Sequence, residues 1–348
     1  VASAAARIRS LDADSQILMF ERGEHVSFSN CCLPYHLSGT VENSDSLVLM
    51  TPERFWKQYG IEVRVQSEVT AVHPGKKQVT VRNLETGESY TETYDKLILA
   101  PGANPIMPRS IAGIDREHVF SIRNVTDIKE LKHDIDTRNV KKAAVIGGGF
   151  IGVETAENLK MAGLTAALVE GTEQIMLPFD YDMVQILHKE MLDSGVEMHL
   201  SSMLTEIREH SILIQCGDEI KEIEADAVVM AIGVSPETTL AREAGLAIGE
   251  TGGILVNKNF QTSDPDIYAV GDAAESFNRL LGRPGRLALA GPAQRQARGA
   301  ADHIYGSSGA NRGFIGSSCI RIFGLNAACT GLNEKNAKSA GISCDIAY

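Results

Sequence analysis

The sequence predicts an α/β fold: two nucleotide-binding Rossmann-like units followed by the start of a third, α+β unit. Three observations carry this. A strand, glycine turn, helix, strand and acid stand in register at residues 141–171. The N-terminal stretch repeats the later pieces of the same unit. Two matching strand-and-turn segments recur at 94–105 and 225–236. At 348 residues the chain is long for one core and suited to two domains. Glycine is abundant, at 32 residues, and aromatics make up only 5%, which favours tight-turned α/β structure over a bundle or a disordered chain.

Taken in order, "ASAAARIRSL" (2–11) reads as a helix and "SQILMFER" (15–22) as a strand ending in the acid Glu21. These are the second and third pieces of a βαβ unit, so its first strand and glycine turn are expected before residue 1. An ordinary edge helix and strand is the alternative. "EVRVQSEVTAVHP" (62–74) supplies one short strand, and "QVTVRNLETGESYTETY" (78–94) a hairpin around Glu-Thr-Gly. "YDKLILAPGANP" (94–105) and "ADAVVMAIGVSP" (225–236) each read as a strand returning into a parallel sheet and ending tightly near a cofactor.

The clearest signal is "KKAAVIGGGFIGVETAENLKMAGLTAALVEG" (141–171). Ala143–Ile146 is a buried strand; Gly147, Gly149 and Gly152 supply G-x-G-x-x-G; a helix runs to about Met161; a second strand, Thr165–Val169, ends at Glu170. This order gives a tight turn, close backbone approach to a pyrophosphate, a helix N-terminus facing phosphates, and a carboxylate for a ribose diol. Glu170 accepts from a 2′-OH and repels a 2′-phosphate, so it favours NADH over NADPH. The segment 197–230 repeats the alternating plan of 62–94. In "TSDPDIYAVGDAAE" (262–275) a strand, Ile267–Val270, ends in Gly271-Asp272, and Asp272 is expected to cap a helix and to accept from a polyol. "GPAQRQARGAADHIYG" (291–306) is helical. From Gly313 short strands and a helix begin the third unit.

The net charge of −12, without a dense basic run, argues against nucleic acid or an anionic membrane as the main partner. No stretch reaches the roughly 18 apolar residues of a membrane span. Six cysteines without a CxxC make no disulfide framework, and a reducing cytoplasm is the simplest location. Cys31 and Cys32 adjoin in "VSFSNCCLPYHL" (26–37); in an extended segment their side chains would point to opposite sides. His25 and His36 lie near them without the spacing of a metal site, and no metal is expected.

The segments "SFSNCCLPY" (27–35), "TYDKLILAPGA" (93–103), "VIGGGFIGVE" (145–154), "AIGVSPETTLAREAGLAIGETGGILVN" (231–257), "TSDPDIYAVGDA" (262–273) and "LALAGPAQRQAR" (287–298) together resemble the single-cysteine branch of the flavin- and pyridine-nucleotide-dependent disulfide oxidoreductases. Within it the chain is most similar to CoA-disulfide reductases and NADH-dependent persulfide reductases. The resemblance implies an FAD-binding domain at 1–114 and 235–309, interrupted by an NAD-binding domain at 115–234. A partial interface, or dimerisation, domain would occupy 310–348, with the family's active-site tyrosines beyond Tyr348. It further implies FAD and NADH as cofactors, CoA as a substrate moiety, and a homodimer.

Residue by residue, it makes Cys31 the redox cysteine, with Asn30, Ser27, Arg7 and Arg9 toward the CoA moiety. Glu21, Arg22, Ala100, Gly102, Gly271, Asp272 and Ala290 fall to FAD. Gly147, Gly149, Phe150, Ile151, Gly152, Glu154, Glu170 and Gly233 fall to the pyridine nucleotide. The chain departs from the family in Ser10, where a second basic residue usually follows Arg9, and in Cys32, where relatives have Gly or Ala; Cys32 is expected to pack as a small apolar residue. Arg123 has either a cofactor-side role or an interdomain ion pair. The implied activity is electron transfer from NADH through FAD to a CoA disulfide or persulfide at Cys31, whose thiolate the flavin face and backbone donors would stabilise. An NADH oxidase or peroxidase using a cysteine sulfenate, or an inactive fragment, are the alternatives.

Overall fold

The structure, a computed structural model, describes residues 1–307 and 312–347. The expected boundary at 309/310 and Tyr348 lie outside the described residues. The chain forms two compact units. The first is Val1–Phe28, Leu49–Asn104 and Pro236–Ile315; the second is Ser29–Val48, Pro105–Ser235 and Gly316–Tyr348. The described helices are α1 (Ala2–Leu11), α2 (Pro52–Tyr59), α3 (Val125–Thr137), α4 (Phe150–Met161), α5 (Tyr181–Asp193), α6 (Thr239–Glu243), α7 (Ala290–Ile304) and α8 (Glu334–Ser339).

In the first unit, α1 packs against α7. The alanines explain this: Ala4 of α1 and Ala297 and Ala300 of α7 are buried in one cluster with Phe260, Tyr268 and Val270, and small side chains let two helices approach closely. α2 is fixed at both ends by its sequence. The Thr51 hydroxyl accepts from the Arg54 amide, Pro52 stands in the first turn, and Gly60 closes the helix at φ +59°. Leu18–Phe20 pairs in parallel with Glu62–Arg64, and Leu97–Leu99 with Ile267–Ala269. The hairpin 78–93 forms, extended by Ser67–His73 into a three-stranded antiparallel sheet.

Two expectations are corrected here. The stretch 62–74 is two strands, Glu62–Arg64 and Ser67–His73, because Gln66 adopts φ +49° and turns the chain between them. Asp272 caps no α-helix. It sits in a single 3₁₀ turn, Gly271–Ala273, followed by the strand Ser276–Asn278, and the next long helix begins only at Ala290.

The second unit is built on a parallel sheet in the order Val119–Phe120, Ala227–Met230, Lys142–Ile146, Thr165–Val169, Glu197–His199. Its central strands are apolar at nearly every position, as a sheet covered on both faces requires. On one face Ala144, Ile146, Ala167 and Val169 pack against Leu204, Ile212, Ile214 and Ile223 of the antiparallel sheet 202–224. α4 packs against the strands Lys142–Ile146 and Thr165–Val169. α3 starts at a capping box, Asn124 accepting from the Asp127 amide and Asp127 accepting in return. Ser317–Ile322 and Leu325–Thr330 form a hairpin that contacts α4 and α5, and α8 follows. Among the described residues no helix is long and apolar enough to cross a membrane.

Candidate functional site

The predicted residues gather in four places. In the first unit, a cavity of about 230 Å3 is lined by Ala100, Gly102, Gly271, Asp272 and Ala290. Gly102 and Gly271 hold φ +76° and +79°, which bends the chain tightly at the ends of their strands. The Asp272 carboxylate is half-buried, with no hydrogen-bond partner among the described residues, and burial pushes its pKa up. A carboxylate in that state is suited to a ligand that brings hydroxyl donors, so these residues fit the ribityl chain of a flavin nucleotide. Glu21, just past the strand Leu18–Phe20, accepts from the Gly23 amide at 2.8 Å. Arg22 faces Glu68 at 3.8 Å.

A second cavity in the same unit, about 620 Å3, is lined by Arg7 and Ser27. Arg9 is committed elsewhere. Its guanidinium donates to the carbonyls of Tyr59 (2.7 Å), Ala13 (2.5 Å), Gly60 (3.2 Å) and Asp12 (3.3 Å), bracketing the end of α1 to the end of α2.

In the second unit the glycine turn is dictated by space. A Cβ on Gly147 would stand 2.4 Å from the Ala231 carbonyl oxygen, and one on Gly152 1.8 Å from that of Gly147. Gly149 has nothing within 4 Å of such a position, leaving the backbone open to a ligand at the start of α4, where Phe150 and Ile151 follow. Glu170 is aimed at this turn: its Oε2 accepts from the Gly148 amide at 2.6 Å, and its Oε1 accepts from the Thr172 amide (2.8 Å) and hydroxyl (2.9 Å). Gly233, at φ +117°, turns the chain after the strand Ala227–Met230. The donor set, glycine backbone and terminal acid, fits a pyridine dinucleotide.

Also in the second unit lie Asn30, Cys31 and Glu154. The cysteine segment is not extended. Asn30–Cys32 and Pro34–His36 are successive 3₁₀ turns, closed by bonds from the amides of Cys32, Leu33, His36 and Leu37 to carbonyls three residues back. Pro34, with its fixed φ, opens the second turn. Cys31 and Asn30 are exposed, Cys32 is partly buried, and both thiols are free. His36 shares a 2.8 Å hydrogen bond with the Val41 carbonyl, which fixes the loop.

The protein groups around Cys31 favour its neutral thiol. Burial first, and then the Glu154 carboxylate, push the Cys31 thiol up. Glu154 is itself raised to about 7, by burial and by Glu157 beside it. Glu157 is raised by burial, opposed by the Phe323 amide and Arg321. Glu154 is thus an acidic neighbour of Cys31.

Sequence reasoning missed Glu157, which is 3% exposed on α4, holds the Phe323 amide at 2.8 Å, and leaves Oε2 buried without a partner among the described residues. It also missed Tyr35, whose pKa is raised by burial and then by Glu154. An acid at i and i+3 of a helix is a common surface pattern, so nothing local marks this pair.

Comparison with known proteins agrees with this geometry. The family model described as pyridine nucleotide-disulphide oxidoreductase matches residues 1–297. A Coenzyme A disulfide reductase of Staphylococcus haemolyticus is 32% identical over 332 residues, 95% of this chain and 74% of that protein. The crystal structure of reduced Bacillus anthracis CoADR-RHD superposes with a TM-score of 0.95 at 43% identity, covering 98% of this chain and 61% of that one. The structure of an NAD-dependent persulfide reductase from A. fulgidus matches at TM-score 0.93 and 32% identity, over 98% of this chain and 64% of that one. The chain therefore spans less than two thirds of either solved relative, and it belongs to the pyridine nucleotide-disulphide oxidoreductase family.

Proposed function

We propose that the chain moves electrons from NADH to a CoA disulfide, or to a CoA or other low-molecular-weight persulfide, through Cys31. The observation that carries this is Cys31 itself: an exposed free thiol between Asn30 and Leu33-Pro34-Tyr35, in a chain similar along nearly its whole length to a CoA disulfide reductase. FAD would be held by residues 1–114 and 235–309, through Glu21, Arg22, Ala100, Gly102, Gly271, Asp272 and Ala290. NADH would be held by 115–234, through Gly147, Gly149, Gly152, Gly233 and Glu170, with Glu154 toward its nicotinamide end. Glu170 favours NADH over NADPH, since its carboxylate would repel a 2′-phosphate. When bound, a flavin held by these residues would supply a two-electron relay between nicotinamide and sulfur.

The chain's own residues do the sulfur chemistry. Cys31 as thiolate attacks one sulfur of the disulfide, forming a mixed disulfide and releasing one thiolate, which takes a proton. Two electrons, which NADH would provide, and one proton then cleave the mixed disulfide into the second thiol and the Cys31 thiolate. Ser27 and Asn30 orient the arriving thiol arm, and Arg7 meets the phosphates. The cytoplasmic location and the homodimer belong to the same reading.

The test is NADH oxidation with CoA disulfide, a persulfide and oxygen supplied in parallel. Cys31→Ser abolishes disulfide turnover while NADH still bleaches bound FAD. Retained turnover in that variant overturns the mechanism, and preference for oxygen favours a sulfenate cycle instead.

A further inference from the structure

At the tip of the hairpin 317–330, in the second unit, two successive amides are held by acids from two helices. The Phe323 amide donates to Glu157 Oε1 of α4 at 2.8 Å, and the Gly324 amide to Glu190 of α5 at 2.9 Å. Phe323 stands at φ +47°, as a two-residue hairpin turn requires. Glu157 is therefore fixed at one oxygen, while its Oε2 is buried with no partner among the described residues. Arg321, on the same hairpin, is turned to the Phe323 carbonyl at 3.1 Å. The Glu157 charge is thus compensated at one end only, and such a charge makes a neighbouring carboxyl keep its proton.

That neighbour is Glu154, one helical turn earlier on the same face of α4. This face meets the cysteine loop: α4 packs against the turn Pro34–His36, and Asn158 accepts from Ser38. His36 is occupied by the Val41 carbonyl, and Tyr35 feels the charges of Glu154 and Glu157. The charges acting most on Cys31 come from Glu154, Cys32 and Cys319, all of them acids, so its proton needs an acceptor before the sulfur can attack.

We propose that Glu154 is the proton shuttle of the sulfur step and Glu157 its positioning residue, which, fixed by the hairpin amide, sets an uncompensated charge behind Glu154. The inference rests on the functional reading above and deepens it. The Cys31 S–H bond breaks toward a Glu154 oxygen as a Cys31–sulfur bond forms. The substrate S–S bond breaks with its electron pair on the departing sulfur, and Glu154 passes the proton to it. One disulfide is exchanged for another, with no net oxidation. Glu154, raised to about 7, is poised both to take and to return a proton near neutral pH.

The experiment uses the FAD-loaded chain without NADH. Peptide mass follows the mixed disulfide on Cys31 formed from CoA disulfide, or from dithiodipyridine, whose leaving group needs no proton. Both rates in the parent rise with pH through about 7 and then level. In Glu154→Gln that rise is lost and CoA disulfide reacts about tenfold to a hundredfold more slowly at pH 7. Iodoacetamide nevertheless traps Cys31 no more slowly in that variant, which a merely damaged site would not allow. Glu157→Gln moves the rise to lower pH, and Glu157→Asp, which keeps the charge, leaves it near the parent position. A rise that survives Glu154→Gln overturns the shuttle, and one that stays in place in Glu157→Gln overturns the positioning role. A parent that shows the Glu154-dependent rise with dithiodipyridine yet never reacts with CoA disulfide keeps the shuttle and removes the functional reading. CoA disulfide reacting at Cys31 with one profile in all variants does the reverse.

Discussion

Ser38 Oγ donates to Asn158 Oδ1 at 2.6 Å, joining residues 120 apart in sequence. Asn158 is fully buried on α4, and its own amide donates to the Glu154 carbonyl at 2.8 Å. One side chain thus fastens the loop that carries Cys31 to the helix that opens at the glycine turn and carries Glu154. The segment 29–48 belongs to the second unit.

Ser38→Ala leaves the Asn158 oxygen buried and unpaired, which costs about 1–3 kcal/mol. The urea midpoint should fall with an unchanged m-value. A midpoint equal to that of the parent would mean that water replaces the hydroxyl and that the fastening is weak.

Glu154 gives a pH prediction. Its folded-state pKa, about 7, lies above the ordinary 4.5. Below pH 4 both folded and unfolded chains hold the proton and the group is neutral to stability. Between 4.5 and 7 the unfolded chain releases a proton that the native chain keeps, so stability falls as pH rises, and it levels off above 7. Glu154→Gln should therefore raise Tm at pH 8 and leave it unchanged at pH 4. Removing that charge also takes away a force that raises the Cys31 thiol, so iodoacetamide should trap Cys31 faster at pH 8 in the variant, read by peptide mass. Equal trapping rates would show that burial alone sets the thiol.

Much of this was legible because backbone geometry leaves local marks. The stretch 141–171 folds within a residue of its reading, since Gly147 and Gly152 stand where any Cβ would strike a carbonyl. The helix 2–11 reads from its alanines and ends where expected. What failed was decided by side chains far apart in sequence or by single torsions. Gln66 at φ +49° splits a strand that alternation alone would continue. The glycine of Gly271-Asp272 opens a single 3₁₀ turn, its amide donating to the Gln296 side chain at 2.7 Å, and a strand rather than an α-helix follows. Asp302, Asn158 and Glu157 sit on helix faces that look ordinary in sequence; only packing brings them to Arg7, Ser38 and the Phe323 amide.

Cys32 tests whether the two thiols share work. Both lie in one 3₁₀ turn, and Cys32 is the less exposed. Cys32→Ala should keep at least a tenth of the disulfide turnover with FAD content unchanged. Complete loss of turnover at full flavin content would require a paired-cysteine scheme.

The proposed preference for NADH places the choice between the two pyridine nucleotides on Glu170. Its carboxylate is held at both oxygens, by Gly148 on one side and Thr172 on the other, so it cannot swing aside for a 2′-phosphate without breaking three hydrogen bonds. Glu170→Ala would remove the proposed ribose acceptor and its repulsive charge together. KM for NADH should rise about tenfold, roughly 1.4 kcal/mol of lost binding, while KM for NADPH stays level or falls. Glu170→Gln keeps one acceptor oxygen without the charge, so it should recover part of the NADH affinity while still tolerating NADPH. The readout is the ratio of kcat/KM for the two nucleotides, measured with one acceptor. A ratio that does not move in either variant would place the choice of nucleotide elsewhere in the unit and leave Glu170 as a brace for the Gly148 turn.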